Sequence, residues 1–331
     1  MIERRKFIAL LSASAVLPNV ALGQRLQRKL CVVLAIKSSA EYQSALEAFH
    51  QTLASLGWKR DDNLRVDQFW SAGDQGHDHA LAVAKDVLAL NPDVILAQSA
   101  AVVSALRSGT QSIPIVFVHV ADPVSSGFVS NIARPNGNIT GVTNTVPSLG
   151  GKWLQILKDM VPGLGRAAML VFPENQQPDR AFFLSPFEEA ARSLGVKTVK
   201  GEVTDVQGIE AVFESLAQSG VPGAVVVTPH ASLANHSREI VALADRFQIP
   251  TSYPYRYYAT QGGLVSYGVN NLDLFKQAAP YVDKILRGAK PADLPVQQPT
   301  RFDLVINMKT AKALRLSVAA GLLASADEVL E

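Results

Sequence analysis

Short runs of β-branched and aliphatic residues alternate with longer amphipathic stretches over most of the chain, and this alternation limits the folds open to it. Leu30 to Ile36, Leu64 to Trp70, Val94 to Ala97, Ile115 to Val120 and Ile139 to Val142 read as strands. Glu41 to Leu56, His79 to Leu90, Val102 to Ser108 and Val124 to Ile132 carry helical spacing between them. The strands are nearly continuous apolar runs, as in a parallel sheet covered by helices on both faces. Such a pattern makes an α/β fold.

A second cycle follows the predicted helix Leu149 to Met160. Ala167 to Phe172, Val196 to Val199, Ala224 to Thr228, Ile249 to Ser252 and Leu264 to Tyr267 read as strands. Phe182 to Leu194, Ile209 to Ala217, Ser232 to Phe247 and Leu272 to Leu286 read as helices. Two such halves predict two doubly wound, Rossmann-like lobes. Thr143-Asn144-Thr145 and Ser266-Tyr267-Gly268 are the expected hinge crossovers, with Phe302 to Ile306 a third after the Pro-rich segment 291–299.

Residues 1–23 fall outside this pattern. Glu3-Arg4-Arg5-Lys6 precedes the apolar run Phe7 to Leu17 and the small-x-small exit Ala21-x-Gly23, as in a secretory signal peptide. The run is shorter than the roughly 20 residues of a membrane-spanning helix. A mature protein starting near Gln24 and exported to the periplasm is expected, by the twin-arginine or the general secretory route. Removing the leader takes away Arg4, Arg5, Lys6 and Glu3, which turns 31 basic and 29 acidic residues into 28 of each. A formally neutral chain gives no general attraction to nucleic acid, which is not expected as a partner. Cys31 is the only cysteine, so no intrachain disulfide forms, and it reads as a small buried hydrophobe in the first strand.

In doubly wound sheets, ligands bind beyond the carboxyl ends of the strands, so the strand-to-helix corners hold the candidate site residues. Ser38-x-x-Glu41 has capping-box spacing, while Ser39 and Tyr42 are placed to look into a cleft. Gln98-Ser99-Ala100-Ala101 lacks a box. Ser99 is either a simple cap or, with the amides of Ala100 and Ala101, a contact for an anionic group such as a carboxylate. Asp122-Pro123 has the pattern of a helix cap followed by a first helical residue, with a cleft role facing a ligand ammonium as the alternative. In the second half, Glu174 and His230 occupy the equivalent corners, each with an ordinary surface or capping role as its rival reading. Tyr253-Pro254-Tyr255-Arg256-Tyr257-Tyr258 offers aromatic walls for a flat ligand or packing within a lobe, and Tyr253 and the crossover residue Tyr267 are the site candidates there.

Enzyme motifs are weak by comparison. Gly163-Leu-Gly165-Arg-Ala-Ala168 spells GxGxxA but precedes a predicted strand, whereas a dinucleotide loop follows one. There is neither a Walker A sequence nor a nucleophile elbow. His77-Asp78-His79 reads as a polar turn, and His230 with His236 lacks the spacing of a zinc helix. No cofactor or metal is expected.

Four segments resemble the ABC-transporter substrate-binding protein family related to the tryptophan-binding TrpX protein. They are Ile113 to Val124 (IPIVFVHVADPV), Ala133 to Gly141 (ARPNGNITG), Gly262 to Gly268 (GGLVSYG) and Gly288 to Asn307. The ending Lys309 to Leu314 and Ala326 to Leu330 is also similar, while Arg315 stands where the family commonly has Gly and Ala319-Ala320 where it has paired prolines. The resemblance implies a type I periplasmic binding fold with a ligand in the cleft between two hinged lobes. It also implies an interleaved division, with 29–142 plus 269–298 in lobe one and 143–268 plus 299–331 in lobe two. The expected function is that of a solute-binding protein, not an enzyme, delivering an amino-acid-like or other carboxylate-bearing small molecule to an ABC permease of the inner membrane. A sensory module for a membrane receptor and, more remotely, a periplasmic enzyme are the rival classes.

Overall fold

The computed structural model describes residues 27–331 apart from 38, 72–75, 175, 176 and 178. The leader, its exit near Gln24, and Ser38 lie outside the described residues. In the first half, strands β1 (Arg28–Leu34), β2 (Leu64–Trp70), β3 (Val94–Gln98), β4 (Ile115–Val120) and β5 (Ile139–Thr143) alternate with helices α1 (Ala40–Ser55), α2 (Gly76–Ala89) and α3 (Ala100–Gly109). They form one parallel sheet in the order β2-β1-β3-β4-β5.

The second half contains α4 (Leu149–Met160), β6 (Arg166–Leu170), α5 (Ala181–Ser193), β7 (Lys197–Val199), α6 (Val206–Ala217) and β8 (Gly223–Val227). It continues with α7 (Ala231–Asn235), α8 (Ser237–Arg246), β9 (Thr251–Tyr253), α9 (Arg256–Thr260), β10 (Val265–Gly268) and α10 (Asn271–Leu286). After a 3-10 turn at Pro291–Asp293 come β11 (Asp303–Asn307), α11 (Met308–Ala313), α12 (Ala320–Ala324) and β12 (Glu328–Leu330). The second sheet runs β12-β11-β10-β9-β8-β6-β7, with only the β10–β11 pairing antiparallel.

Both faces of the inner strands are covered, which is why β3, β4, β5 and β8 are buried along their whole length, while β2 and β7 at the sheet edges carry exposed polar residues. In β1, Leu30, Val32 and Leu34 face one core while Cys31 and Val33 face another, because successive side chains point to opposite faces. In β8 the same alternation sends Val225 and Val227 one way and Ala224 and Val226 the other. Cys31 is fully buried, and that burial pushes its thiol up to about 12, so it stays neutral.

The chain passes between the lobes more than once. Helix α10 follows β10 of the second sheet but packs against α1 and against β4 of the first. Gln297 then runs beside β5, its N–H donating to Gly141 O at 3.0 Å and its carbonyl accepting from Thr143 N at 2.9 Å, before β11 returns to the second sheet.

Three local expectations change. Val124 to Ile132 is not a helix: Asp122 Oδ1 accepts from Val124 N and Ser125 N, and the turn stops at Gly127, whose φ of 69° leaves the helical region. Ser232 to Phe247 is two helices, interrupted at His236. Ser39 caps α1, accepting from Tyr42 N at 3.4 Å, and Glu41, read as the capping-box acid, accepts from Asn271 Nδ2 at 2.6 Å. Arg315 adopts a left-handed φ of 55° just past α11, a conformation in which glycine carries no Cβ penalty.

Candidate functional site

The carboxyl ends of the strands in the two sheets face each other across a cleft, which holds about 90 Å³ of water-sized space. That is several times the room one water needs. From the first lobe, Ala35 beyond β1, Tyr42 on α1, Gln98 and Ser99 at the end of β3, and His119 on β4 line it. From the second lobe come Gln177 and Asp179 before α5, Pro229 and His230 beyond β8, and Tyr255 beyond β9.

Ser99 sits at the N terminus of α3 with a φ of 85°, rare for a residue with a Cβ, and is 7% exposed. Its hydroxyl accepts from Val102 N at 3.4 Å, a long bond, and the first intrahelical bond runs from Val103 N to Ser99 O. The amides of Ala100 and Ala101 therefore precede the helical ladder, and both residues line the cleft. This places a partly positive helix end at the wall.

His119 lies beside it. The β4–β5 register shifts between Val118 and Val120, so His119 is the bulged residue, with a φ of 57°. A bulge re-aims a side chain out of its strand's alternation. The imidazole is 7% exposed and meets Tyr42, Phe275 and Tyr255 at ring-centroid distances of 5.9, 6.0 and 5.5 Å. Burial lowers its pKa to about 3, so the ring is neutral. Nδ1 is 3.1 Å from the Tyr255 hydroxyl, which also accepts from Asn144 Nδ2 at 2.8 Å. These three residues come from the first sheet, the second lobe and the crossover between them.

Asp179 is the one carboxylate among the described lining residues, which include no Lys or Arg. Burial, with a smaller push from the Asp122 carboxylate, raises it to about 6 against backbone N–H groups of Asp179 and Asp122 that favour ionisation. His230 stacks on Phe172 at 4.3 Å, and its Nδ1 accepts from Ser232 N at 3.3 Å. The lobes also touch directly at the cleft: Lys37 N donates to Asn235 Oδ1 at 2.9 Å, and Asn235 Nδ2 to Ala35 O at 3.5 Å.

Of the residues singled out in the sequence, the structure brings Tyr42, Ser99, Ala100, Ala101 and His230 together in the cleft. It places the others elsewhere. Ser39 is an exposed cap of α1. Asp122 caps a turn at the cleft's edge, its influence reaching Asp179. Glu174 points outward and pairs loosely with Arg180 at 3.7 Å, its side chain 78% exposed. Tyr253 is buried inside the second lobe, stacked on Tyr258 at 4.8 Å, whereas Tyr255 lies beyond the end of β9, where the strand no longer holds i and i+2 side chains on one face. Tyr267 packs on Phe302 and under Lys152 on the outer side of β10, and its carbonyl accepts from Trp153 Nε1 at 2.7 Å. Among the other lining residues, Tyr255 belongs to the tyrosine cluster read as an aromatic wall and Gln98 to the Ser99 corner, while the sequence singled out neither His119, Gln177 nor Asp179.

This architecture, two doubly wound lobes closing strand ends around a cleft, is a type I periplasmic binding fold. The chain matches the ABC transporter substrate binding protein family over residues 29–330 and belongs to that family. It is 23% identical over 271 residues to a tyrosine-binding protein of Clostridioides difficile (strain R20291), covering 82% of this chain and 76% of that one. A conserved domain protein from Vibrio cholerae superposes with a TM-score of 0.83 at 23% identity, covering 92% of this chain and 99% of the other. An ABC domain in complex with L-Trp from Streptococcus pneumonia gives a TM-score of 0.81 at 22% identity, covering 92% and 100%. The protein is thus a substrate-binding protein of an ABC transporter. Among the described residues, no helix is long and apolar enough to cross a membrane.

Proposed function

We propose that this protein works in the periplasm, where it captures an amino-acid-like, carboxylate-bearing small molecule in the interlobe cleft and delivers it to an ABC importer. In this reading the division into lobes follows 29–142 with 269–298 and 143–268 with 299–331, and the site catalyses no reaction. The observation that carries it is the end of α3: Ser99 and the uncommitted amides of Ala100 and Ala101 offer donors and a positive helix end in a cleft whose described lining holds no Lys or Arg. Tyr42 and Tyr255 give such a ligand an aromatic wall. The tyrosine-binding relative and the L-Trp complex support an amino acid with an aromatic side chain as the first candidate. Capture works by population shift, since a ligand touching both lobes favours the closed arrangement that a permease can recognise.

Protein recovered from the cell envelope tests this reading. Its intact mass places the N terminus near Gln24, and extraction releases a carboxylate-bearing small molecule, chemically unchanged. Retention of Met1 to Gly23 in soluble periplasmic protein, or a released molecule without an anionic group, contradicts it.

A further inference from the structure

We propose that His119 is a further ligand contact, its Nε2–H donating to the carboxylate held at the α3 N terminus, and that Tyr255 and Asn144 are positioning residues that fix this tautomer. The inference rests on the cleft reading above and adds to it a specific donor and the relay that orients it.

Three features converge on the imidazole: its backbone, its place beside Ser99 and its unpartnered nitrogen. The β4 bulge turns it out of the strand, and a positive φ at a non-glycine residue is a backbone cost that persists only where the surroundings impose it. Ser99, on the neighbouring strand end, has the same kind of backbone, and its N–H donates to Val118 O at 3.1 Å, so the two residues sit side by side. Nε2 is buried, has no hydrogen-bond partner among the described residues, and belongs to a residue lining the cleft. A buried polar atom without a partner costs stability, so it calls for a function.

The relay decides what Nε2 offers. Asn144 Nδ2 donates to the Tyr255 oxygen, which leaves the phenol's own proton to be placed. The acceptor in reach is His119 Nδ1 at 3.1 Å. Nδ1 is then an acceptor, the ring proton sits on Nε2, and the cleft receives a neutral N–H donor. The groups packed around the ring are Tyr42 from α1, Phe275 from α10 and Tyr255, while Asp179 lines the same cleft from the other lobe. With the ring neutral from burial, the donor is the same throughout the range from pH 5 to 8.

Two measurements on the mature protein test this. Long-range proton–nitrogen spectra of the imidazoles should show His119 neutral, protonated on Nε2, from pH 5 to 8, and a mixture of tautomers in Tyr255→Phe. A proton on Nδ1, or an imidazolium near pH 6, overturns the proposal. Calorimetric titration with L-tyrosine should show His119→Ala weakened about ten- to a hundredfold. His119→Gln, whose amide N–H reaches the same position, should stay within about threefold of the wild type, a rescue that loss of packing would not give. An unchanged affinity in His119→Ala, or Gln no better than Ala, overturns the contact. If the wild type takes neither L-tyrosine nor L-tryptophan, the ligand reading under Proposed function fails, while the spectra still decide the tautomer.

Discussion

Asn235 of the second lobe is hydrogen bonded to Lys37 of the first, the Lys37 N–H donating to Asn235 Oδ1 at 2.9 Å. The same side chain donates to Ala35 O, so one residue at the end of α7 holds the loop between β1 and α1. Contacts of this kind exist only when the lobes are together. We infer from them that Asn235 favours the approach of the lobes, separately from the residues that line the cleft.

Asn235→Ala should therefore weaken ligand binding by about two- to tenfold, the worth of a neutral hydrogen bond, with little change in the melting temperature of the ligand-free protein. Solution scattering should show the radius of gyration falling on saturation with ligand in the wild type, and a larger ligand-free radius or a higher ligand requirement in the variant. A variant that closes at the same ligand concentration as the wild type removes Asn235 from the closure mechanism.

Ser99→Ala removes the hydroxyl that stands at the α3 end. If it meets a carboxylate, affinity falls about ten- to a hundredfold, as for a hydrogen bond to a charged group. Stability falls by about 1 kcal/mol, the usual cost of losing a cap. Calorimetry and thermal unfolding of the two proteins separate the effects, and an affinity within twofold of the wild type excludes the contact.

Asp179 makes stability depend on pH. Its folded pKa is raised to about 6 from a model-peptide value of 3.8, so the unfolded chain releases this proton first as pH rises. Between about pH 4 and 6 the native state holds more protons than the unfolded state, and this group's contribution to stability falls with pH. The loss is complete above the folded pKa and amounts to about 2–3 kcal/mol at most. Asp179→Asn should abolish this slope and be more stable than the wild type at pH 7, with the two alike near pH 3.5. Denaturant titrations at the two pH values check it, and equal stabilities at pH 7 contradict it.

Gly268 ends β10, at the point where the chain leaves the second sheet for α10. A Cβ there would run into the Pro254 carbonyl, which is backbone and cannot swing aside. Gly268→Ala should destabilise the protein by about 1–3 kcal/mol, read as a lower denaturant midpoint with an unchanged slope. An unaltered midpoint means that the crossover gives way more easily than its packing implies.

The fold was legible because burial on both faces leaves a plain trace: 30–34 in β1, 94–97 in β3 and 115–118 in β4 are continuous apolar runs that fit a covered parallel sheet and little else. Ser99 and His230 were legible by position, since both follow an apolar strand at a corner where such sheets bind ligands. His119 was not, because it lies within Ile-Val-Phe-Val-His-Val and reads as a strand interior. Its bulge depends on the register with β5, which local sequence does not contain. Tyr253 and Tyr255 differ only in where β9 ends, and that decided which ring faces the core and which the cleft. Asp179 sits in a loop without periodicity. Gly127 stopped a helix that apolar spacing from Val124 to Ile132 had suggested, and the C-terminal elements α11, α12 and β12 are too short to stand out from their surroundings.

The central claim is that the cleft recognises a small molecule by its carboxylate. Calorimetric titration of the mature protein with L-tyrosine and L-tryptophan, each beside its decarboxylated amine, tests this most directly. At least one amino acid should bind, and its amine should bind at least about tenfold more weakly, because it lacks the group that meets Ser99, the α3 amides and His119. An amine that binds as tightly as its parent amino acid would contradict the account.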